Sequence, residues 1–218
     1  YGFNCLHQLY TRANPVYSGR VTVPVLWDTE LETIVSNESS EIIRMFNSAF
    51  ADYTPDKTDY YPEELRNEID SINARIYDTL NNGVYRCGFA TTQKAYEAAF
   101  SKLFVCLDEL ETKLSNQRFL LGSRITEADW RLFTTLIRFD AVYYSHFKTN
   151  LRRIFDYPAL HGYTCDLYQQ PGIKQTVDFE HIKQHYFFSH ETINPTRVVP
   201  VGPEINFEVH HERKKSFS

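Results

Sequence analysis

The chain is short of sulfur, of long apolar runs and of positive charge, and each shortage excludes something. Its 218 residues include a single methionine, Met45, and four cysteines, Cys5, Cys87, Cys106 and Cys165, with no Cys-x-x-Cys pair. Scattered thiols in a chain of this length read as reduced cysteines of a cytoplasm-like compartment, not as a disulfide framework. No apolar run reaches the roughly 20 residues that cross a bilayer, and no signal-type apolar segment opens the chain, so no membrane partner is expected. Lys and Arg number 23 against 28 Asp and Glu, for a net charge of -5 and a pI near 5.9. That balance excludes a nucleic-acid role driven by phosphate neutralisation. The basic run Arg213-Lys-Lys215 reads as a solvated cluster. The first residue is Tyr1, which suggests that a segment lies upstream.

What is abundant is aromatic: 15 Tyr and 16 Phe, in a chain 42% hydrophobic and 23% charged. This is a globular composition, long enough for one large or two small domains. The aromatics suit either a stacked flat ligand or an aromatic core.

Residues 1–18 look irregular, with Asn14-Pro15 and Ser18-Gly19 as turns. The β-branched run Val21-Thr-Val-Pro-Val-Leu-Trp27 contains a proline, which cannot donate to a ladder. A cis bond at a strand entrance reconciles Pro24 with such a run. Asp28-Thr-Glu30 then turns the chain into a second strand, and a helix begins near Ser39 with Ile42, Ile43, Met45 and Phe46 toward a core. Residues 51–62, with two prolines and clustered acids, read as a linker. Helices follow. Leu65, Ile69, Ile72, Ile76 and Leu80 share one face, and Asn81-Asn-Gly83 is a stop. A helix opened by Thr91 carries Tyr96, Phe100, Leu103, Leu107, Leu110 and Leu114. Thr126-Glu-Ala-Asp129 is a capping box, in which Thr126 and Asp129 act as a structural cap with no chemistry. The buried helix beyond runs from Trp130 to Phe147, so Arg131, Arg138 and Asp140 must be paired or near a surface. Further helices span about 158–168 and 173–188, and an extended tail begins near Asn194-Pro195.

The polar residues at the start of the helix near Ser39 sit beside its free N–H groups, where an anion can bind. By residue type alone, Glu38-Ser39 reads as a plain helix cap; the Val-Pro pair upstream is what turns the reading to a binding role.

A β-β-α stretch with Val23-Pro24 and Glu38-Ser39, followed by helices whose core member opens with Thr-x-x-Asp, resembles the glutathione transferases. The runs Gly19-Arg-Val-Thr-Val-Pro-Val-Leu-Trp-Asp28, Asn81-Asn-Gly-Val-Tyr-Arg-Cys-Gly-Phe-Ala90, Thr134-Thr-Leu-Ile-Arg-Phe-Asp140 and His185-Tyr-Phe-Phe-Ser-His190 narrow it. Together they resemble the Xi class, the glutathionyl-hydroquinone reductases. The resemblance implies an α+β glutathione-transferase fold, the C-terminal part of a thioredoxin-like domain followed by an all-α domain. Its expected divisions are a partial glutathione-binding domain at 1–50, a linker at 51–62, a helical domain at 63–190 and an extended tail at 191–218. It also implies a homodimer with glutathione as co-substrate and no metal.

The reaction implied is removal of glutathione from a glutathionyl-hydroquinone by a cysteine thiolate, through an enzyme–glutathione mixed disulfide. Carried over, Val23 before Pro24 offers its backbone to the cysteinyl part of glutathione. Glu38 and Ser39 hold the γ-glutamyl ammonium and carboxylate, and Tyr85 and Tyr186 face the hydroquinone hydroxyls. By residue type alone these two tyrosines would be ordinary core or surface residues; only the resemblance lifts them. The family's Cys-Pro-Trp-Ala-type motif does not occur here, and no Cys precedes a Pro. The nucleophile is therefore expected upstream, and the chain alone is expected to be inactive. Two other readings stay open: a silent ligand-binding protein of the same fold, and an Omega-like general thiol transferase. His181 and His185 share a helical face but have no third ligand at metal spacing, so no metal site is assigned.

Overall fold

The structure, a computed structural model, describes residues 1–217, which divide into two compact units, one of residues 1–61 and one from residue 62 onward. Among the described residues no helix is long and apolar enough to cross a membrane.

The first unit begins with a helix the sequence did not announce, α1 (His7–Ala13). It has no side-chain cap, and the turn signals around it hide it. What fixes it is Tyr10, 2% exposed, whose hydroxyl donates to the Thr22 carbonyl at 2.7 Å. Only the end of the β-branched run pairs: β1 (Leu26–Asp28) lies antiparallel to β2 (Thr33–Ser36), with Trp27 opposite Ile34 and a bulge between Leu26 and Trp27. Pro24 stays outside the ladder it cannot serve. The Asp28 carboxylate accepts the N–H groups of Glu30 and Leu31, both at 2.8 Å, which closes the turn. In α2 (Ser39–Ser48) Ile42 is buried, but Phe46 is exposed and stacks on Phe50 rather than entering a core. The stretch 51–62, read from sequence as linker, contains a short 3₁₀ turn at Ala51–Tyr53.

The second unit is helical throughout. α3 (Arg66–Ile76) buries Ile69 and Ile76 on one face, as its spacing predicts. Asn81-Asn-Gly83 does not stop the helix. The chain widens into a π-helical turn at Tyr77–Asn81 and continues as α4 (Gly83–Gly88). Asn81 is held in that turn by its amide, which donates to Thr135 Oγ1 at 2.6 Å and to the Arg131 carbonyl at 3.2 Å. α5 (Gln93–Asn116) is capped by Thr92 rather than Thr91, with the Ala95 N–H donating to its hydroxyl at 3.2 Å, and buries Leu103, Leu107, Leu110 and Leu114.

α6 (Glu127–Arg138) opens with the capping box, and its Asp129 does more than cap. The fully buried Asp129 carboxylate accepts the N–H groups of Thr126 and Leu120 at 2.8 Å and the hydroxyls of Thr126 and Tyr163 at 2.9 Å. The helix expected to run unbroken to Phe147 instead passes through a second π-helical turn, Phe139–Tyr143, into α7 (Tyr144–His146). Asp140 is spoken for by the Ile154 and Phe155 N–H groups, at 2.7 and 3.1 Å.

α8 (Pro158–Tyr168) spans the predicted residues; its first N–H groups are capped by Glu111 of α5, which accepts from Ala159 and Leu160 at 2.8 Å. α9 (Phe179–Ser189) starts later than the sequence suggests, because a 3₁₀ turn occupies Lys174–Thr176 and Asp178 supplies the cap.

The tail is not simply extended and its basic run is not all solvated. Residues Arg213–Ser216 form a short helix, α10, and Arg213 is 8% exposed. Its guanidinium donates to the carbonyls of Leu114, Gln117 and Arg118 at 3.0, 2.8 and 2.7 Å, where α5 ends and its carbonyls lack helical partners. A cation at that end also complements the helix dipole.

Asp129→Ala removes the acceptor of four buried donors, so it should destabilise the protein by roughly 3–5 kcal/mol. Urea unfolding followed by circular dichroism measures this. A loss below about 1 kcal/mol, the value of a lone cap, would show that Asp129 is only a helix cap.

Candidate active site

In the first unit Tyr10 ties together the two stretches singled out from sequence. Its hydroxyl accepts from the Thr22 N–H at 3.3 Å and from the Asn37 side-chain amide at 3.2 Å, besides donating to the Thr22 carbonyl. Thr22 precedes Val23-Pro24, and Asn37 precedes Glu38-Ser39. One buried phenol therefore holds both. The Val23–Pro24 peptide bond is cis. Val23 is 71% exposed, and its N–H and C=O make no hydrogen bond with another described residue.

At the start of α2 the plain-cap reading of Glu38 fails, since its side chain makes no cap hydrogen bond. Ser36 does that work instead: its hydroxyl accepts the Glu38 N–H at 3.1 Å and donates to Glu41 at 2.8 Å. The exposed Glu38 carboxylate and the Ser39 hydroxyl are left beside the N–H groups of Ser39 and Ser40, which have no partner among the described residues. A free carboxylate next to free helix N–H groups offers a place for a zwitterion, with ammonium to the first and carboxylate to the second.

In the second unit the two tyrosines chosen from sequence are hydrogen-bonded to each other, Tyr85 Oη to Tyr186 Oη at 2.6 Å. A third joins them that the sequence did not reveal: Tyr143 Oη lies 2.9 Å from Tyr186 Oη. Three hydroxyl protons serve two internal hydrogen bonds, so one proton is left over. Tyr143 and Tyr186 are buried, whereas Tyr85 is 37% exposed. With Tyr143 donating to Tyr186 and Tyr186 to Tyr85, the spare proton belongs to the phenol that reaches solvent, and each bond in the chain polarises the next. Burial, with the Tyr186 phenol beside them, pushes the Tyr85 and Tyr143 hydroxyls well above the usual phenol range. Both stay protonated donors.

Rings hold this relay in place. Tyr143 stacks on Phe147 (5.5 Å, 6°), Phe147 on His190 (5.8 Å, 16°), and His190 on His146 (5.3 Å, 22°), while Tyr186 stands edge-on to this slab. Phe147 is fully buried and Gly88 of α4 lies against it, so that a Cβ at Gly88 would fall 2.1 Å from Phe147 Cδ1. His146 Nε2 lies 3.1 Å from His190 Nδ1, a bond that needs one donor and one acceptor. Burial first, then His190 and Lys148, lower His146 to about 4.

Three of the four cysteines are unsuited to nucleophilic work. Burial pushes the Cys87 and Cys165 thiols up to about 11 and raises Cys106 as well. Cys5 is exposed. His181 and His185 have no third ligand, and among the described residues no group of three metal-type side chains occurs. Tyr10, Tyr143, Phe147 and His190 were missed because their roles arise from tertiary contacts; the signal present for Tyr143 was its Tyr-x-x-x-Phe spacing to Phe147.

Gly88→Ala forces Phe147 to move and should cost about 1–3 kcal/mol, typical of overpacking, while displacing the tyrosine relay; thermal unfolding and a crystal structure of the variant test this. For His146 the sign is fixed by its lowered pKa. The unfolded chain takes up a proton near 6.5 that the folded protein resists down to about 4. Its contribution is therefore complete above pH 6.5 and is lost as pH falls toward 4, on the order of 2–3 kcal/mol. His146→Gln should flatten the decline of the urea midpoint across that window, and an unchanged slope would refute it.

Comparison with known proteins supplies the family. Residues 93–164 match the family model "Glutathione S-transferase, C-terminal domain". The chain is 55% identical over 212 residues to glutathionyl-hydroquinone reductase YqjG of Escherichia coli (strain K12), covering 97% of this chain and 65% of that protein. It is 57% identical over 202 residues to glutathionyl-hydroquinone reductase PcpF of Sphingobium chlorophenolicum, covering 93% of this chain and 64% of that one. The chain thus spans just under two thirds of the length of these relatives. Its fold matches the glutathione-bound structure of YqjG with a TM-score of 0.95 over 97% of this chain and 69% of that one. It matches glutathione transferase Xi 1 of Trametes versicolor with a TM-score of 0.91 and 56% identity, over 93% of this chain and 71% of that one. The fold is that of a glutathione transferase, part of a thioredoxin-like domain followed by an all-helical one, and the chain belongs to the Xi class of the glutathione transferase family.

Proposed function

We propose that this chain is most of a glutathionyl-hydroquinone reductase, and that it binds glutathione through its first unit and the hydroquinone through its second. The observation that carries the reading is the hydrogen-bonded series Tyr143–Tyr186–Tyr85, which, with Tyr143 donating to Tyr186 and Tyr186 to Tyr85, leaves its spare phenolic proton on the member that reaches the surface. Such a donor suits an oxygen that gains electron density as a bond to its ring breaks. The glutathionyl-hydroquinone reductase activity for which YqjG and PcpF are named supports the same assignment.

The proposed roles are those the resemblance implies. The unpaired Val23 backbone beside Pro24 takes the cysteinyl part of glutathione. Glu38 receives the γ-glutamyl ammonium, and Ser39 with its N–H receives the γ-glutamyl carboxylate. Tyr85, backed by Tyr186, donates to a hydroquinone oxygen. Thr126 and Asp129 are structural. A thiolate attacks the glutathione sulfur of the conjugate, so that an S–S bond forms, the S–C(aryl) bond breaks, and the ring carbon takes the electron pair and a proton. A second glutathione thiolate then attacks the mixed disulfide, releasing oxidised glutathione and restoring the enzyme thiolate. With Cys87, Cys106 and Cys165 buried and raised, and the exposed Cys5 followed by Leu6 and not by the proline of the family's motif, the attacking thiol is assigned to the part of the relatives that this chain does not span, and the chain alone is expected to be inactive. Division into a glutathione-binding unit, a helical unit and a tail, residence in the cytoplasm and assembly as a homodimer complete the reading.

The test is turnover of a glutathionyl-hydroquinone by the protein with its full natural chain. Tyr85→Phe and Tyr186→Phe should each lower kcat/KM about 10–100-fold, the worth of a hydrogen bond to a charged oxygen. Glu38→Gln should weaken glutathione binding with little effect on the tyrosine relay. Faster turnover of a simple glutathione mixed disulfide than of the conjugate would instead favour an Omega-like transferase. No turnover of either with an intact thiol would favour a silent binding protein.

A further inference from the structure

Arg138 is the last residue of α6 and lines a cavity whose lining holds no acidic residue. Its Nη1 donates to the Thr134 carbonyl of its own helix at 2.6 Å, and among the described residues no carboxylate lies within ion-pair distance of it. A guanidinium has five N–H donors, so most of its capacity is unused. The side chain lines a cavity of about 220 Å³ together with Phe133, Thr134 and Ile137 of α6, Ile173 and Ile182. No residue lining that cavity is acidic. It is larger than a cavity of ~150 Å³ that accepts benzene, so a ring substituent fits.

This cavity and the tyrosine relay share their supports. α6 carries Arg138 and leads through its π-helical turn to Tyr143, and α9 carries Ile182 at the cavity and Tyr186 one turn further on. The Arg138 charge is felt at Tyr85, Tyr143 and His185, lowering each of them against or alongside burial. A cation with unused donors, an apolar recess beside it and a phenolic donor chain within its field make a recognisable combination. It suits an aromatic diol whose ring also bears a negative group.

We propose that the cavity beside Arg138 receives a ring substituent of the hydroquinone and that Arg138 pairs with a carboxylate on it, so that the protein prefers acidic over neutral dihydroxybenzenes. This rests on the reading that Tyr85 and Tyr186 bind the hydroquinone hydroxyls. Arg138 is thus a specificity residue, separate from the relay.

Calorimetric titration of the full natural chain with 2,5-dihydroxybenzoate and with hydroquinone tests it. The acid should bind about tenfold more tightly, as a partly exposed charge-assisted hydrogen bond allows. Arg138→Gln should abolish that preference while leaving hydroquinone affinity within about twofold, and Arg138→Lys should keep part of it. Equal affinities in the unaltered protein, a preference that survives Arg138→Gln, or an equal loss for both ligands would each overturn the proposal. Tyr85→Phe separates the two readings: if it changes neither affinity, the tyrosine assignment fails, while the acid-over-neutral ratio still reports on Arg138.

Discussion

The helical unit depends on the carboxylate of Asp129. Four donors from three stretches of chain converge on it: Leu120 from the loop before α6, Thr126 twice from the helix start, and Tyr163 from α8. Burial raises its pKa, and hydrogen bonds from the Leu120 and Thr126 N–H groups and the Tyr163 hydroxyl pull it down. A buried carboxylate is tolerable only when its lone pairs are filled in this way. Because Asp129 fixes where α6 begins, it also fixes which side chains the helix delivers at its far end. Arg138 and Tyr143 stand where they do because the count from Thr126 is set.

That count is broken once, and usefully. Had α6 run on without interruption to Phe147, as periodicity predicts, Tyr143 would sit one residue out of step along the helix. The π-helical turn Phe139–Tyr143 inserts the extra residue, and the Asp140 carboxylate, anchored by Ile154 and Phe155, sits inside that turn. A second such turn, Tyr77–Asn81, precedes Tyr85 and is pinned to α6 through Asn81. Wide turns of this kind recur at functional sites, and here each immediately precedes or contains a phenol of the relay.

This explains what could be read in advance. Regular elements were legible: the α5 stripe, the Thr126–Asp129 box and the limits of α8 follow from period and capping chemistry. Val23-Pro24 and Glu38-Ser39 could be read from the residues only as a general anion site at a helix start, and Tyr85 and Tyr186 were reached only through a resemblance, since nothing in their residue type separates them from ordinary core tyrosines. The misses share one cause. α1, the bridging hydroxyl of Tyr10, Tyr143 and the buried Arg213 are all defined by partners more than ten residues away or by a register shift, and local pattern carries no trace of either. Asn81-Asn-Gly83 misled for the opposite reason: its turn chemistry is real, but the bonds from Asn81 to α6 outweigh it and keep the chain helical.

The two units divide the chemistry by the character of their groups. On the proposed reading the first presents what a peptide needs, a Val23 backbone with no hydrogen bond among the described residues, a carboxylate and a helix start, all held by one phenol. On the same reading the second presents what an aromatic diol needs, phenol donors at Tyr85 and Tyr143 kept protonated by burial and, among the described residues, a guanidinium with no carboxylate within ion-pair distance. Its acidity is conserved by burial: the same desolvation that keeps Tyr85 and Tyr143 protonated also keeps Cys87 and Cys165 as thiols. An environment that protects proton donors in this way suppresses thiolates, so a reactive cysteine has to sit outside it, at a polar and partly open position such as a helix start. On the proposed reading, keeping the nucleophile away from the helical unit is what lets that unit serve as the acid side of the reaction.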